Sequence, residues 1–300
     1  MPTRLHHDEV DIDASLAQRL LAEQMREYAA LPLRRVPSGG TENAVFRLGE
    51  SLAVRMPLRP DAVDSLLREV RWLPVVAKHV SLEVPEVVSV GEPADGYPFP
   101  WAVVRWLEGE DALTGRLDSS RETAGTVGGF VAELQGIDTT GAPEPGTDGF
   151  DRGLPLVGRD HAFRTALEQC GDLVDVERVR QVWDDALAAP PWDGPPTWLH
   201  ADLIPGNLLV RGGRAVGVLD FGTLATGDPA YDVIAAWFLL DQASRPLFRE
   251  MVGADEVMWR RGRGLVVSQA VIALPYYLHT NPSMVATARR GIGQVLADGA

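Results

Sequence analysis

The sequence predicts an α+β fold in which a small antiparallel sheet with one long inserted helix is followed by a mainly helical part. Two observations lead to this prediction. Strand-like runs separated by turn residues are concentrated before residue 108, and helical periodicity dominates after it. We therefore expect an N-terminal lobe over residues 1–107, a helical C-terminal lobe over 108–300, and a linker between them near 104–109.

The elements of the first part follow from short-range patterns. Residues 13–30 carry leucines at helical spacing behind the capping candidate Asp13. Residues 61–79 have the same periodicity, and Pro74 is expected to kink or end that helix. Strands are expected over 33–37, 44–48, 51–56, 84–90 and 101–106.

The second part is expected to be mostly helical, with a few short strands. One helix, over 229–240, would have Pro229 at its first position. The other predicted helices cover 119–137, 160–169, 174–189 and most of 228–300, and the short strands lie near 198–199, 207–210 and 216–219.

Composition excludes several classes of protein. The net charge of −14 argues against a nucleic-acid partner, which needs clustered basic residues. The longest apolar stretch, residues 265–278, is interrupted by polar residues and a proline and is too short to span a bilayer. Residues 1–13 lack the apolar core of a signal peptide, and a single cysteine, Cys170, excludes an internal disulfide. We expect a cytoplasmic protein without a nucleic-acid or membrane partner, of undetermined oligomeric state.

The most informative pattern combines three polar side chains between apolar strands. Asp202 is followed at the fifth position by Asn207, and Asp220 opens an Asp-Phe-Gly sequence. This spacing is typical of phosphoryl-transfer enzymes. There, one carboxylate orients the attacking hydroxyl and accepts its proton, while a second carboxylate and an amide oxygen hold Mg²⁺ against the phosphates.

A predicted hairpin over 208–219 would bring Asn207 and Asp220 together, because the two residues flank it. Arg211-Gly-Gly-Arg214 supplies its turn. Each polar residue alone is better explained as a turn or capping residue. The three in this order and spacing predict a phosphotransferase.

The segment His200-Ala-Asp-Leu-Ile-Pro-Gly-Asn207, then Asp220-Phe-Gly222, then Gly227-Asp-Pro-Ala-Tyr-Asp232 resembles the aminoglycoside phosphotransferase family. The resemblance implies a two-lobed protein-kinase-like fold. It implies that Asp202 is the catalytic base, that Asn207 and Asp220 are Mg²⁺ ligands, and that His200 packs under the catalytic loop. Asp228 is expected to steady that loop, or else to cap the following helix.

A glycine-rich loop is the first candidate for nucleotide binding. Ser38, Gly39, Gly40 and Thr41 lie between two predicted strands, so their backbone amides are placed to cover phosphates. Taken alone, two adjacent glycines are also typical of an ordinary hairpin turn. The position of the loop, one strand before a candidate phosphate-binding residue, favours the nucleotide role.

That candidate is Arg55, which stands where kinases normally use lysine, with Glu69 as its partner on the next helix. Arginine keeps the positive charge and adds a fork suited to phosphate. The alternative is an ion pair that only stabilises the lobe. The resemblance further implies that the backbone of Arg105, Trp106 and Leu107 binds the base of ATP or GTP.

The acceptor follows from the resemblance and from charge. The expected function is ATP- or GTP-dependent transfer of the γ-phosphate to a hydroxyl of a small molecule, most simply a cationic aminoglycoside-type antibiotic, with a role in antibiotic resistance. Some acidic residues could bind such a cation, although each alone is better explained as part of a solvated helix face. They are Asp111, Asp160, Glu168, Asp241, Asp255 and Glu256. The alternatives are a kinase of another small molecule (a macrolide, cyclic-peptide antibiotic, sugar or amino alcohol) and a nucleotide-binding module without turnover.

Overall fold

The computed structural model describes residues 9–36, 42–118, 121–146 and 151–299. The chain divides into two compact units. The first comprises Met1–Lys78, Glu83–Glu108 and Val218–Gly222, and the second comprises His79–Leu82, Gly109–Gly217 and Thr223–Ala300.

Within its described residues, the first unit consists of a five-stranded antiparallel sheet and two helices. Its elements are α1 (Ala14–Gln24), β1 (Leu33–Arg35), β2 (Asn43–Leu48), β3 (Leu52–Pro57), α2 (Asp61–Val76), β4 (Val87–Gly91) and β5 (Trp101–Arg105). The strand order is β1-β2-β3-β5-β4, so β3, which carries Arg55, is the central strand.

The second unit is mainly helical, with two small antiparallel sheets of order β6-β8-β9 and β10-β7. Its elements are β6 (Glu110–Asp111), α3 (Arg121–Gln135), α4 (Asp160–Cys170), α5 (Val176–Ala188), β7 (Thr197–Leu199), β8 (Leu208–Arg211), β9 (Arg214–Val218, whose last residue belongs to the first unit), β10 (Ala225–Gly227), α6 (Ala230–Val233), α7 (Ala235–Phe238), α8 (Arg245–Met251), α9 (Glu256–Tyr277) and α10 (Pro282–Ala297). Short 3₁₀ helices occur at Leu156–Arg159, Gly171–Leu173, Pro205–Asn207 and Phe221–Thr223.

Local signals placed one helix start correctly and missed two other features of the helices. Asp13 caps α1, where its Oδ1 accepts a hydrogen bond from the N–H of Leu16 at 2.7 Å. Helix α2 runs past Pro74 and ends at Val76. The single helix predicted over 229–240 is instead two short helices, α6 and α7, because the helix is interrupted at Ile234.

The core of the first unit forms between α1 and one face of the sheet. Phe46 on β2 and Trp101 on β5 are fully buried there. Gly91 on β4 is needed opposite that indole, because a Cβ at this position would lie 2.1 Å from a ring carbon of Trp101. Among the described residues, no helix is both long enough and apolar enough to cross a membrane.

Candidate active site

The hairpin that carries the predicted metal ligands forms as expected. Strands β8 and β9 are joined by Gly212 and Gly213, which have φ values of +59° and +84°. Two consecutive residues with positive φ are typical of a type I′ turn, whose twist matches that of the paired strands. Asn207 immediately precedes β8 and Asp220 lies two residues after β9, so their separation along the chain is fixed by this short turn.

The loop that carries Asp202, in the second unit, is held by a buried carboxylate. Oxygens of Asp232 accept hydrogen bonds from the N–H groups of His200 at 2.9 Å and Ala201 at 2.7 Å. Ala201 has a φ of +62°, a left-handed conformation that is costly for a residue with a Cβ. Burial raises the pKa of Asp232, whereas His200 and the two N–H groups favour the charged form and oppose that rise. The carboxylate therefore stabilises a strained backbone directly before Asp202.

Asp202 and Asn207 lie in direct contact. Nδ2 of Asn207 donates to the backbone carbonyl of Asp202 and to its Oδ2, at 2.9 Å in both cases. Because the amide nitrogen is used in this way, the amide oxygen is the atom that Asn207 presents to a cation. The N–H of Asp202 donates to Nδ1 of His200 at 3.3 Å, and the Asp202 side chain remains 26% exposed, which leaves it accessible to a substrate.

In the first unit, Glu69 on α2 binds two of the predicted site segments. Its Oε2 pairs with Nη1 of Arg55, and its Oε1 accepts the N–H of Phe221 at 2.8 Å. The neighbouring residue Arg68, which is also buried, donates to the carbonyl oxygen of Gly222. Helix α2 thus holds the backbone at both ends of the dipeptide Phe221-Gly222, directly after Asp220.

The electrostatics of this region suit a divalent cation. Three carboxylates, those of Glu42, Glu69 and Asp220, interact with the guanidinium of Arg55. Burial raises the pKa of Glu42 to about 7, and the negative charge of Asp220 adds to the rise. Burial likewise raises the pKa of Glu69, and Arg55 opposes that rise. The surplus negative charge is the kind that Mg²⁺ offsets.

The described residues contain no group of three or more His, Cys, Asp or Glu side chains arranged to hold a metal ion. Mg²⁺ is commonly held by one or two carboxylates together with substrate phosphates. The amide oxygen of Asn207, in the second unit, and the carboxylate of Asp220, in the first, are each the kind of oxygen donor that Mg²⁺ prefers. Their role as metal ligands stays a prediction.

Other predicted nucleotide-binding residues have mixed outcomes. Ser38, Gly39, Gly40 and Thr41 lie outside the described residues. In the 105–107 segment, the N–H of Arg105 donates to the Glu86 carbonyl and the N–H of Trp106 to the Ser51 carbonyl, both at 2.8 Å. Those two donors are therefore used within the first unit, and the binding of a nucleotide base by this segment stays a prediction.

The role predicted for Asp228 belongs to Asp232 instead. Asp228 pairs with Arg261, at 2.7 and 3.0 Å, and accepts the N–H of Ala230 at 2.9 Å, which fits its alternative role at the start of the following helix. Asp232 stood in the motif without an assigned role. Its spacing of four residues from Asp228 was the only sequence signal for its importance.

The acidic residues considered for a cationic acceptor are mostly used in local structure. Asp255 caps α9, Asp241 accepts the N–H of Ser244, and Asp111 accepts the N–H of Thr114. Asp160 accepts hydrogen bonds from Trp183 and Arg164, and Glu256 accepts one from Arg249, so five of the six acidic residues have local partners. These contacts weaken the case that they form a cation-binding surface.

Comparison with protein families decides the class of the chain. The model of the phosphotransferase enzyme family matches residues 33–265, well over half of the sequence. The chain belongs to the phosphotransferase enzyme family. The predicted phosphotransferase class is therefore confirmed, as is the resemblance that the sequence motifs carried. No curated protein matches the sequence.

Solved structures share the fold of this phosphotransferase at low identity. APH(2")-IIia in complex with GDP and kanamycin is 18% identical, covers 95% of this chain and 99% of its own, and has a TM-score of 0.74. The macrolide 2'-phosphotransferase MphH from Brachybacterium faecium is 21% identical and has a TM-score of 0.62. The match covers 93% of this chain and 97% of MphH. APH(2")-IIa in complex with streptomycin and ATP is 20% identical and has a TM-score of 0.60. The match covers 96% of this chain and 97% of that protein. The α+β, kinase-like fold class is confirmed.

Proposed function

We propose that this phosphotransferase moves the γ-phosphate of a Mg²⁺-bound ATP or GTP to a hydroxyl of an aminoglycoside-type antibiotic. The observation that carries the proposal is the locked pair Asp202–Asn207, in which a partly exposed carboxylate is oriented by the amide of a cation ligand. Among structures with the same fold are complexes with GDP and kanamycin and with ATP and streptomycin.

In the proposed reaction each residue has one task. Asp202 orients the acceptor hydroxyl and takes its proton as the new bond to phosphorus forms. Asn207 and Asp220 would hold the metal ion, which would supply positive charge to neutralise the phosphates. Arg55 binds the phosphates of the donor, and Glu69 holds Arg55 and the backbone after Asp220 in place.

A macrolide or another uncharged small molecule is the second candidate acceptor. Two observations favour it. Five of the six acidic side chains considered for a cationic substrate are engaged in local contacts. In addition, Arg152 lies 3.8 Å from Asp202, which places a positive charge next to the reacting hydroxyl. Two macrolide 2'-phosphotransferases share the fold, at 21% and 16% identity.

The test is turnover of ATP and of GTP with kanamycin, gentamicin, streptomycin and a macrolide, with the product identified by mass. Asp202→Asn should lower turnover by about 10²–10⁴-fold, the usual contribution of a general base, with nucleotide binding retained. Asp220→Ala should instead weaken Mg²⁺-dependent nucleotide binding itself. If no aminoglycoside is phosphorylated while a macrolide is, the second candidate replaces the first. If neither is phosphorylated and Asp202→Asn turns over nucleotide like the wild type, the chain is a binding module.

A further inference from the structure

Arg152 lies beside Asp202 and has unused hydrogen-bond donors. Its Nη2 is 3.8 Å from Oδ1 of Asp202, close enough for an ion pair but too long for a hydrogen bond. Its Nη1 is buried and has no hydrogen-bond partner in the part of the chain that the structure describes. Buried donors normally have an acceptor, so an orphaned guanidinium nitrogen calls for one. The Arg152 side chain as a whole keeps 18% of its surface exposed, and Nη2, with its long contact to Asp202, is the donor available to an anion that arrives with the substrates.

The segment 151–154 holds Arg152 in a fixed position. The hydroxyl of Tyr231 lies 2.9 and 3.0 Å from the carbonyl oxygens of the first and last residues of this segment. The N–H of Asp228 donates to the carbonyl of Gly153 at 3.1 Å. Gly153 has a φ of +82°, and a Cβ there would lie 2.3 Å from a neighbouring carbonyl oxygen. Hydrogen bonds therefore hold the backbone carbonyls of Asp151, Gly153 and Leu154 on the two sides of Arg152.

A second buried arginine makes the surroundings more positive. Arg159 is bound to Asp151 and, at 3.1 Å, to the hydroxyl of Ser268. Burial and the nearby charge of Arg152 lower the pKa of Arg159, as expected for two like charges that lie close together. Because Arg159 is engaged by these partners, Arg152 is the member of the pair with a donor to spare.

We propose that Arg152 is a catalytic residue that binds the phosphoryl group during its transfer. The inference rests on the proposed phosphotransferase site. In-line transfer requires the phosphorus to approach the acceptor oxygen that Asp202 contacts, so the equatorial oxygens of the phosphoryl group come within reach of a guanidinium next to Asp202. Its Nη2, whose contact with Asp202 is too long for a hydrogen bond, gains an acceptor there, and its charge offsets the repulsion between the carboxylate and the phosphoryl group.

The step balances without a further reactant. The bond from phosphorus to the bridging oxygen of the nucleotide breaks, and the bond from phosphorus to the acceptor oxygen forms. The acceptor proton passes to Asp202, and the nucleoside diphosphate leaves with the electron pair of the broken bond. Arg152 donates hydrogen bonds and stays protonated throughout, because a guanidinium does not lose its proton at ordinary pH.

Binding of the phosphoryl group by Arg152 and a purely structural ion pair with Asp202 would affect different measured quantities. A fixed donor that acts mainly in the transition state raises kcat, whereas a residue that only helps to bind the nucleotide changes KM. Removing one preorganised donor of this kind usually lowers kcat by about 10²–10³-fold. A role confined to folding would change thermal stability and leave the kcat of the folded protein unaltered.

The experiment compares wild type, Arg152→Met, Arg152→Lys and Arg152→Ala. The matched control is Arg180→Met, which removes an exposed arginine that pairs with Glu177 on α5 in the same unit. Turnover is measured with whichever acceptor of the panel reacts, and otherwise as hydrolysis of ATP by water. Melting curves and nucleotide affinity are recorded for each variant. Arg152→Ala is also assayed with added guanidinium chloride.

We expect Arg152→Met to lower kcat by about 10²–10³-fold with the nucleotide KM within about threefold of wild type, Arg152→Lys to retain part of the activity, and guanidinium to raise the rate of Arg152→Ala. A kcat within about threefold of wild type in folded Arg152→Met overturns the inference, as does a loss seen only in KM. If Arg152→Met does not fold, the decision passes to Arg152→Lys and to rescue of Arg152→Ala, and absence of rescue counts against the inference. A panel without any reacting acceptor removes the proposed antibiotic substrate alone, because hydrolysis still tests Arg152.

Discussion

The ion pair between Arg55 and Glu69 gives a sharp test of how the first unit is stabilised. Glu69 has no exposed side-chain surface, and Arg55 is only 13% exposed. Replacing Arg55 by methionine keeps much of the side-chain volume but removes the positive charge. The carboxylate of Glu69 then remains buried without the positive charge of Arg55, although the N–H of Phe221 still donates a hydrogen bond to it.

The expected cost is large because a buried charge loses its partner. Breaking a buried ion pair by removing one member typically destabilises a protein by about 3–5 kcal/mol. The attraction between unit charges about 4 Å apart at an effective dielectric constant of about 20 is about 4 kcal/mol, which agrees with that range. We therefore expect Arg55→Met to lower the free energy of unfolding of the first unit by about 3–5 kcal/mol.

A second substitution separates the stranded charge from other effects of the mutation. Glu69→Gln in the Arg55→Met background removes the charge yet keeps an oxygen that accepts the N–H of Phe221. The double variant should therefore recover most of the lost stability, since neutral groups replacing a buried ion pair are often nearly neutral in effect. Arg19→Met, which breaks an exposed ion pair with Asp95 in the same unit, is the matched control and should leave the unfolding curve unchanged.

The assay is unfolding in urea, monitored by hydrogen exchange of peptides from β2, β3 and β5. These peptides report on the first unit alone, which matters because a chain with two units need not unfold in a single step. A loss below about 1 kcal/mol in Arg55→Met would refute the claim that this pair stabilises the unit. So would a double variant no more stable than Arg55→Met itself, because the stranded charge would then not be the cause of the loss.

Two further predictions concern single carboxylates. The pKa of Glu42 is about 7 in the folded protein against an ordinary value of 4.5, so the folded state retains a proton that the unfolded chain has lost between these values. The contribution of Glu42 to stability therefore falls as pH rises from about 4.5 to about 7. Glu42→Gln should remove this dependence of the free energy of unfolding on pH. Parallel curves of stability against pH for the variant and the wild type would contradict the prediction. Asp232→Asn replaces one acceptor of the N–H groups of His200 and Ala201 by a donor, so it should cost about 1–3 kcal/mol and lower kcat, and unchanged unfolding and kcat would exclude the anchoring role.

Local features of this chain were predictable because short-range chemistry determines them. The turn at Gly212-Gly213 follows from the need for positive φ at two successive positions, and the spacing of Asp202 from Asn207 sets their contact within one loop. Side chains that act across long sequence separations carry no comparable signal. Arg68 binds a carbonyl 154 positions away, and nothing in the neighbouring sequence indicates which partner it meets.

Burial on all sides also hides structure from periodicity. Residues 230–240 are buried without exception, so they lack the alternation of buried and exposed faces that reveals a helix boundary. The interruption at Ile234 between α6 and α7 was therefore missed. Arg152 was missed for a related reason: an arginine in a loop resembles a solvated surface residue until its burial and its distance from Asp202 are known.

The geometry of Glu69 explains how arginine serves at a position where lysine is usual. Glu69 uses one oxygen for Nη1 of Arg55 and the other for the N–H of Phe221, so the contact with Arg55 involves a single nitrogen of the guanidinium. A lysine has one ammonium, which would have to divide its donors between the glutamate and the phosphates. The guanidinium has two further nitrogens on the same rigid fork, and these are suited to two phosphate oxygens at once. In the proposed site, arginine thus separates the structural contact from the contact with the nucleotide.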